Sequence, residues 1–188
     1  MANNCWNSFD IYGNEQVKKQ VKEWANEFYS VINEPTSIKI LKVYDVFYPG
    51  QEIADIELGS KWVEPDDSQG GDIGCVSAWT CPDELQDRMA KLLFPLDEKV
   101  VIVNYYSSED GTAAYRVCAP YDTENVYSQQ TDEIDITSGD EDEEAEADIE
   151  LHNQFETIIE YLIDDMPGTS NVLKNHLTTL DIDWDSYK

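Results

Sequence analysis

Carboxylates are the side chains of this 188-residue chain with the clearest capacity for chemistry, because 40 Asp and Glu stand against only 12 Lys and Arg. The formal net charge of −28 far exceeds the magnitude of roughly 2 to 8 that keeps a small domain soluble. Such a field repels phosphate backbones and anionic membranes and attracts proteins with basic clefts. The composition therefore indicates electrostatic recognition of a basic protein surface. The alternative is that the charge serves solubility alone.

The carboxylates are concentrated in the last third of the chain. Residues 121–188 contain 20 acidic residues and two lysines, a net charge of −18, whereas residues 1–120 have a net charge of −10. The residues that we expect to contact a partner are Asp140, Glu141, Asp142, Glu143, Glu144, Glu146, Asp148, Glu150, Glu156, Glu160, Asp181, Asp183, Trp184 and Asp185. Trp184 lies among carboxylates, which suits docking into a basic and partly apolar groove.

Two other interpretations of these segments remain open at this stage. A block of like charges such as residues 131–150 usually stays solvated, so the run can be a linker instead of a binding arm. Residues 181–187 alternate acids with apolar residues, so they can also pack on their own domain as an edge strand.

No catalytic motif has the required spacing. The sequence contains no P-loop or dinucleotide-binding glycine loop, no HExxH and no GxSxG, and both histidines, His152 and His176, lie beyond residue 150. Residues 66–72 contain acids that suit weak Ca²⁺ binding but lack the spacing of an EF-hand loop. Lys18, Lys19 and Lys22 are the only basic cluster, and acids flank them. We therefore expect no enzymatic activity, no cofactor, no metal and no direct nucleic-acid binding.

The four cysteines are predicted to be buried reduced thiols. They form no CxxC pair and have no histidine at zinc-ligand spacing. In a reducing cytosol, free cysteines behave as small hydrophobic residues. The residues are Cys5, Cys75, Cys81 and Cys118.

The elements that must position the carboxylates begin with an α+β domain over residues 1–120. Hydrophobic periodicity and turn residues predict, in order, strand 5–12, helix 14–33, strand 38–47, strand 53–62, strand 73–79, helix 82–94, strand 100–106 and strand 113–119. Glu109, Asp110 and Gly111 predict a hairpin between the last two strands. This order is typical of a ferredoxin-like antiparallel sheet with helices on one face.

An acidic helical extension is predicted to follow this domain. Residues 121–150 form the acidic linker or arm, and residues 151–188 form a helical C-terminal extension. Its first helix is predicted to begin at Ile149 with carboxylates such as Asp164 directed outward, and a second helix is predicted over 169–179. The expected apolar face of the first helix consists of Ile149, Phe155, Ile158, Ile159, Leu162 and Ile163.

Several dispersed motifs resemble a known family. They are the opening Met1–Asn7, the tetrapeptide Gly59–Trp62, Ser77–Thr80 followed by Pro82, the pair Phe94–Pro95, and the Tyr105–Tyr115 hairpin with Glu109 and Gly111. In this order they look like the YubB/Api-type ferredoxin-like proteins of phages and plasmids, a family without an established activity. The resemblance covers about residues 1–120 and leaves residues 131–188 unmatched. This chain also has Cys5 before Trp6, where the family has Trp before Cys.

The resemblance implies a mobile element inside a bacterial cell. With the charge, it favours a phage-encoded acidic protein that inhibits a host restriction, nuclease or RNA-guided defence enzyme by nucleic-acid mimicry. The alternative is a structural or regulatory protein that binds a basic phage or host partner, in a chaperone-like or antitoxin-like role. No signal peptide or membrane span is present in the sequence, so we expect a cytoplasmic location in the host cell.

Overall fold

The computed structural model describes residues 3–120, 122–137 and 141–165. It has seven strands, β1 Asn4–Tyr12, β2 Val63–Pro65, β3 Ile73–Ala78, β4 Val101–Ser108, β5 Thr112–Pro120, β6 Val126–Gln130 and β7 Ile134–Asp135. It has four α-helices, α1 Glu15–Phe28, α2 Thr36–Phe47, α3 Asp83–Leu93 and α4 Glu141–Asp165. The α+β class is therefore confirmed. None of these helices is both long enough and apolar enough to cross a membrane.

All strands belong to one antiparallel sheet in the order β2-β3-β1-β4-β5-β6, and β7 pairs with β5. The first strand is central, since Asn7 lies opposite Cys75 of β3 on one side and Tyr106 of β4 on the other. The sheet has seven strands because residues 126–135, which the sequence assigned to an acidic linker, form β6 and β7.

The main core lies between one face of the sheet and helices α1 to α3. Alternation along β1 directs Phe9 and Ile11 into this core. Helix α1 begins after Asn14, whose side chain accepts hydrogen bonds from the backbone N–H groups of residues 16 and 17. The buried residues of α1 recur at three and four residue steps, as predicted: Val17, Val21, Trp24 and Phe28. The strand 73–79, the helix 82–94 and the 100–119 hairpin are likewise confirmed.

Two strand predictions are wrong. Residues 38–47 belong to helix α2, and 53–62 contain only the 3-10 turn Ile53–Asp55 before the short strand β2. Helix α2 buries Val43, Val46 and Phe47, a helical spacing, and the ring of Phe47 packs 5.2 Å from that of Trp24. The sequence pattern was ambiguous because two apolar residues of α2, Ile38 at 42% and Leu41 at 49%, are exposed.

Helix α4, which belongs to the predicted acidic extension, packs on the sheet face opposite to α1–α3, and the helices of the domain itself lie on one face, as predicted. Buried residues of α4 form a second core with Val101, Val103, Val117 and Ala119. Within α4, Ile149 is 47% exposed instead of buried, and Leu151 takes its place in the core. The predicted helix 169–179 and the C-terminal segment 181–187 lie outside the described residues.

Candidate protein-binding site on α4

Helix α4 is held on the sheet by one apolar side. Leu151, Phe155, Ile158 and Ile159 are buried, and the ring of Phe155 lies 4.5 Å from the ring of Tyr115 on β5. Gln154 adds a polar contact, because its side-chain oxygen accepts a hydrogen bond of 2.8 Å from the backbone N–H of Asp132. These contacts fix the rotation of the helix about its axis and therefore decide which side chains face solvent.

The other side of α4 carries a row of exposed carboxylates, which we call the acidic stripe: Glu143, Glu146, Glu150, Glu156 and Glu160. With 3.6 residues per turn, these five positions lie on the side opposite to the buried apolar residues. The His152 Nε2 lies 3.2 Å from a carboxylate oxygen of Glu156. The chain has no Lys or Arg between Arg116, which is buried, and Lys174. The stripe is therefore an exposed acidic surface on a segment of the chain that contains no Lys or Arg.

The predicted partner-binding residues divide into three groups. Seven of them, the stripe with Glu144 and Asp148, are exposed on α4. Two more, Glu141 and Asp142, lie in the first turn of α4, and their side chains are outside the described part of the chain. The residues that lie wholly outside the described ranges are Asp140, Asp181, Asp183, Trp184 and Asp185.

Negative charge near α4 affects the sheet face on which the helix packs. Burial raises the pKa of Tyr115 to about 12, and the neighbouring Tyr105, Asp148 and Asp10 raise it further in the same direction. Burial and Asp148 also raise the pKa of Tyr105. Asp148 of α4 and Asp10 of β1 therefore both lie near Tyr115 on this sheet face.

Asp10 is a second carboxylate on this sheet face, and no sequence pattern indicated its role. It lies on β1 opposite Val103, on the same sheet face as α4. Burial, and then the nearby charge of Asp72, raise the pKa of its carboxyl to about 6 from the usual 3.8. The alternation of β1 predicted which face Asp10 occupies, but the proximity of Asp72 depends on the pairing of β1 with β3.

We expect Asp10→Asn to stabilise the protein above pH 6 and to leave its stability unchanged near pH 4. Folding favours the protonated carboxyl of Asp10. The stability that this group contributes is therefore fully present below pH 3.8 and is lost as the pH rises through about 6. The difference between the two pKa values corresponds to at most about 3 kcal/mol in the free energy of unfolding at neutral pH. Urea unfolding between about pH 4 and pH 8 measures this difference. The exposed Glu34→Gln is the control, and an equal gain at both pH values would contradict the assignment.

The four cysteines are all free and buried, as predicted. Burial raises the pKa of the Cys5 thiol to about 11 and that of Cys118 to about 12. These thiols are therefore protonated at neutral pH and poorly nucleophilic. Among the residues that the structure describes, no group of three or more His, Cys, Asp or Glu is placed to hold a metal ion.

The fold and the site define an α+β protein with a seven-stranded antiparallel sheet and an exposed acidic helix. Comparison with protein-family models, with curated proteins and with solved structures gives no match to this chain.

Proposed function

We propose that the protein is a non-enzymatic inhibitor that occupies the basic nucleic-acid-binding site of a partner protein, with α4 in the place of a phosphate backbone. The observation that carries this proposal is the acidic stripe, five exposed carboxylates on one side of a helix whose other side is anchored to the sheet. A preformed ligand loses little conformational freedom on binding, which favours affinity.

The spacing of acids along α4 supports the comparison with nucleic acid. Nine acidic residues occupy positions 141–160 of the helix, which at 1.5 Å per residue span about 29 Å. That is one acid per about 3 Å of axis, close to the 3.4 Å per phosphate along one strand of DNA. This density counts acids on all sides of the helix, and the five glutamates of the acidic stripe are spaced on average about 6 Å apart along the axis.

The strand order supports a ferredoxin-like core. Strands β2-β3-β1-β4 are adjacent in that order, with α1 between β1 and β2 and α3 between β3 and β4, as in a split β-α-β arrangement. With the motif resemblance of residues 1–120, this favours the phage and plasmid proteins of the YubB/Api type. The partner proposed from that context is a host restriction, nuclease or RNA-guided defence enzyme.

The test is capture of such an enzyme from host lysate at about 0.1 M salt, with release by duplex DNA or RNA. We then expect a variant with all five stripe glutamates changed to glutamine to bind the captured enzyme at least fivefold more weakly. Exposed charge pairs contribute about 0.2–1 kcal/mol each, so the loss of five corresponds to about 1–5 kcal/mol, or roughly 5-fold to more than 1000-fold. Titration calorimetry or biosensor binding measures the affinity.

A charge-matched control separates the stripe from net charge. It neutralises five other exposed acids, Glu23, Glu34, Glu52, Asp67 and Glu98. We expect this control to bind within threefold of the unmodified protein. Equal losses in the two variants would show that net charge alone acts. Capture of only a phage-encoded basic protein from a lysate of infected host cells would favour the chaperone-like alternative.

A further inference from the structure

A second surface lies at the opposite edge of the sheet from α4, beside β2 and β3. It is an open groove of about 790 Å³ between residues 56–61, residues 78–84 and Tyr44 of α2. The strand order places four strands between β2 and β6, and α4 packs at the β5–β6 side. The groove therefore shares no residue with the acidic stripe.

Trp79 is the most unusual residue of the groove. Its side chain is 61% exposed, and its backbone φ is +79°, the left-handed region that a bulky residue rarely adopts. The conformation is fixed by neighbours, since the Trp79 N–H donates to the Asn3 carbonyl at 2.9 Å and the Ser77 hydroxyl donates to the Thr80 carbonyl at 2.7 Å. Such strained residues occur preferentially at functional sites, and exposed tryptophans are common binding anchors.

The opposite wall of the groove is equally well fixed. Gly59 has a φ of +75° and approaches Asp83 so closely that a Cβ at this position would overlap the Asp83 carboxylate. The Ser60 hydroxyl donates to the Ala78 carbonyl at 2.6 Å, and the Leu58 carbonyl accepts from the Leu85 N–H. The groove is therefore preformed, which reduces the entropic cost of binding an extended ligand.

The acidic residues that line the groove indicate that its ligand is positively charged. Its acids are Glu57, Asp83 and Glu84, and within the described ranges none of them has a Lys or Arg nitrogen within 4.0 Å. Lys61 is the one basic residue that lines it. Carboxylates beside an exposed indole suit a cationic side chain, because the cation interacts with the ring face while its alkyl stem covers apolar surface.

We propose that this groove binds an extended Lys- or Arg-bearing segment of a partner protein, with one cationic side chain over Trp79 and its charge near Glu57 and Glu84. This inference goes beyond the proposed inhibition, because it concerns a separate surface and a protein segment instead of a nucleic-acid-binding cleft. The two surfaces together would allow one molecule to contact a basic partner at opposite edges of the sheet.

The test uses the full chain with all five stripe glutamates changed to glutamine, so that the acidic stripe no longer contributes to binding of a cationic probe. The probe is a short fluorescein-labelled peptide that alternates lysine with leucine, measured by anisotropy at about 0.15 M salt. We expect Trp79→Gly and the double variant Glu57→Gln/Glu84→Gln each to weaken its binding about tenfold. Glycine adopts the positive φ without strain, so Trp79→Gly is expected to remain folded.

Ile149→Ala is the matched control, because Ile149 is also an exposed apolar residue but lies on α4. The affinity of the Ile149→Ala variant for the peptide is expected to stay within twofold of the affinity of the parent protein. In ¹⁵N NMR spectra, the indole signal that Trp79→Gly removes should shift saturably with peptide. Peptide affinity that is unchanged in both groove variants, or shifts confined to α4, would overturn the proposal without affecting the test of the acidic stripe.

Discussion

Asp87→Ala is expected to lower the free energy of unfolding by about 3 kcal/mol, although Asp87 lies on a helix surface that is partly exposed. Its carboxylate accepts a hydrogen bond of 2.8 Å from Nη2 of Arg116, a residue that is only 6% exposed. The Nη1 of the same guanidinium donates to Gln86 at 2.9 Å. Without Asp87, a buried charge has no anionic partner, and breaking a buried pair in this way typically costs about 3–5 kcal/mol.

Removal of Asp87 and removal of Arg116 are expected to lower the free energy of unfolding by different amounts, and this difference tests whether the charge of Arg116 is buried. Arg116→Met removes the buried charge while keeping most of the side-chain length, so we expect it to cost less than Asp87→Ala. The double variant Asp87→Ala/Arg116→Met should then be no less stable than Asp87→Ala alone. Urea unfolding of all four proteins gives the coupling free energy.

An exposed ion pair provides the control for this cycle. Glu15 and Lys18 form a pair of 3.1 Å on α1, and both side chains are more than 60% exposed. Glu15→Ala should therefore change the free energy of unfolding by less than about 1 kcal/mol. An Asp87→Ala effect no larger than that of Glu15→Ala would mean that Arg116 is solvated.

Gln86 on α3 gives the buried guanidinium of Arg116 a hydrogen-bond partner inside the core. It is fully buried on α3, and its side-chain N–H groups donate to the carbonyls of Ile102 on β4 and Arg116 on β5, both at 3.0 Å. Every partner that it has in the sheet is at least 16 residues away in sequence. An amphipathic pattern predicts that α3 lies on the sheet but assigns no role to a glutamine on its buried side.

Elements with strong local periodicity were predicted from the sequence, and elements that depend on tertiary contacts were not. Strand β1, helix α1 and the β4–β5 hairpin have clear alternation, helical spacing or turn residues. Helix α2 was misassigned because its exposed Ile38 and Leu41 obscure the spacing of its buried side. Strands β6 and β7 pair with β5, and a polar, acidic segment gives little hydrophobic signal for that pairing.

The candidate surfaces were predictable to different degrees. The exposure of Glu150, Glu156 and Glu160 followed from helical periodicity, since the same pattern that buries Phe155 directs them outward. Trp79 was assigned to the end of a strand, and only the backbone reversal between β3 and α3 places its ring in solvent. A positive φ at a tryptophan has no signature in the sequence, because glycine and asparagine are the residues that usually indicate one.

Phe155→Ala is expected to release α4 from the sheet while the rest of the fold persists. Phe155 is the largest of the described α4 side chains in this interface, and its ring lies 4.5 Å from that of Tyr115 between centroids. Truncation of a buried phenylalanine typically costs about 3–5 kcal/mol. Among the α4 side chains that the structure describes, none belongs to the main core between the sheet and α1–α3. The loss should therefore fall on the smaller core that α4 forms.

Hydrogen exchange distinguishes local release from global unfolding. In Phe155→Ala we expect amides of residues 151–160 to lose protection at least tenfold more than those of β1 and β4. Ile149→Ala, an exposed apolar truncation on the same helix, should leave protection unchanged. Loss of protection across the whole sheet would instead mean that α4 is part of the cooperative core. If the acidic stripe must be held in a fixed orientation, Phe155→Ala will weaken partner binding without removing a single carboxylate, whereas a stripe that acts only by its charge will bind as before.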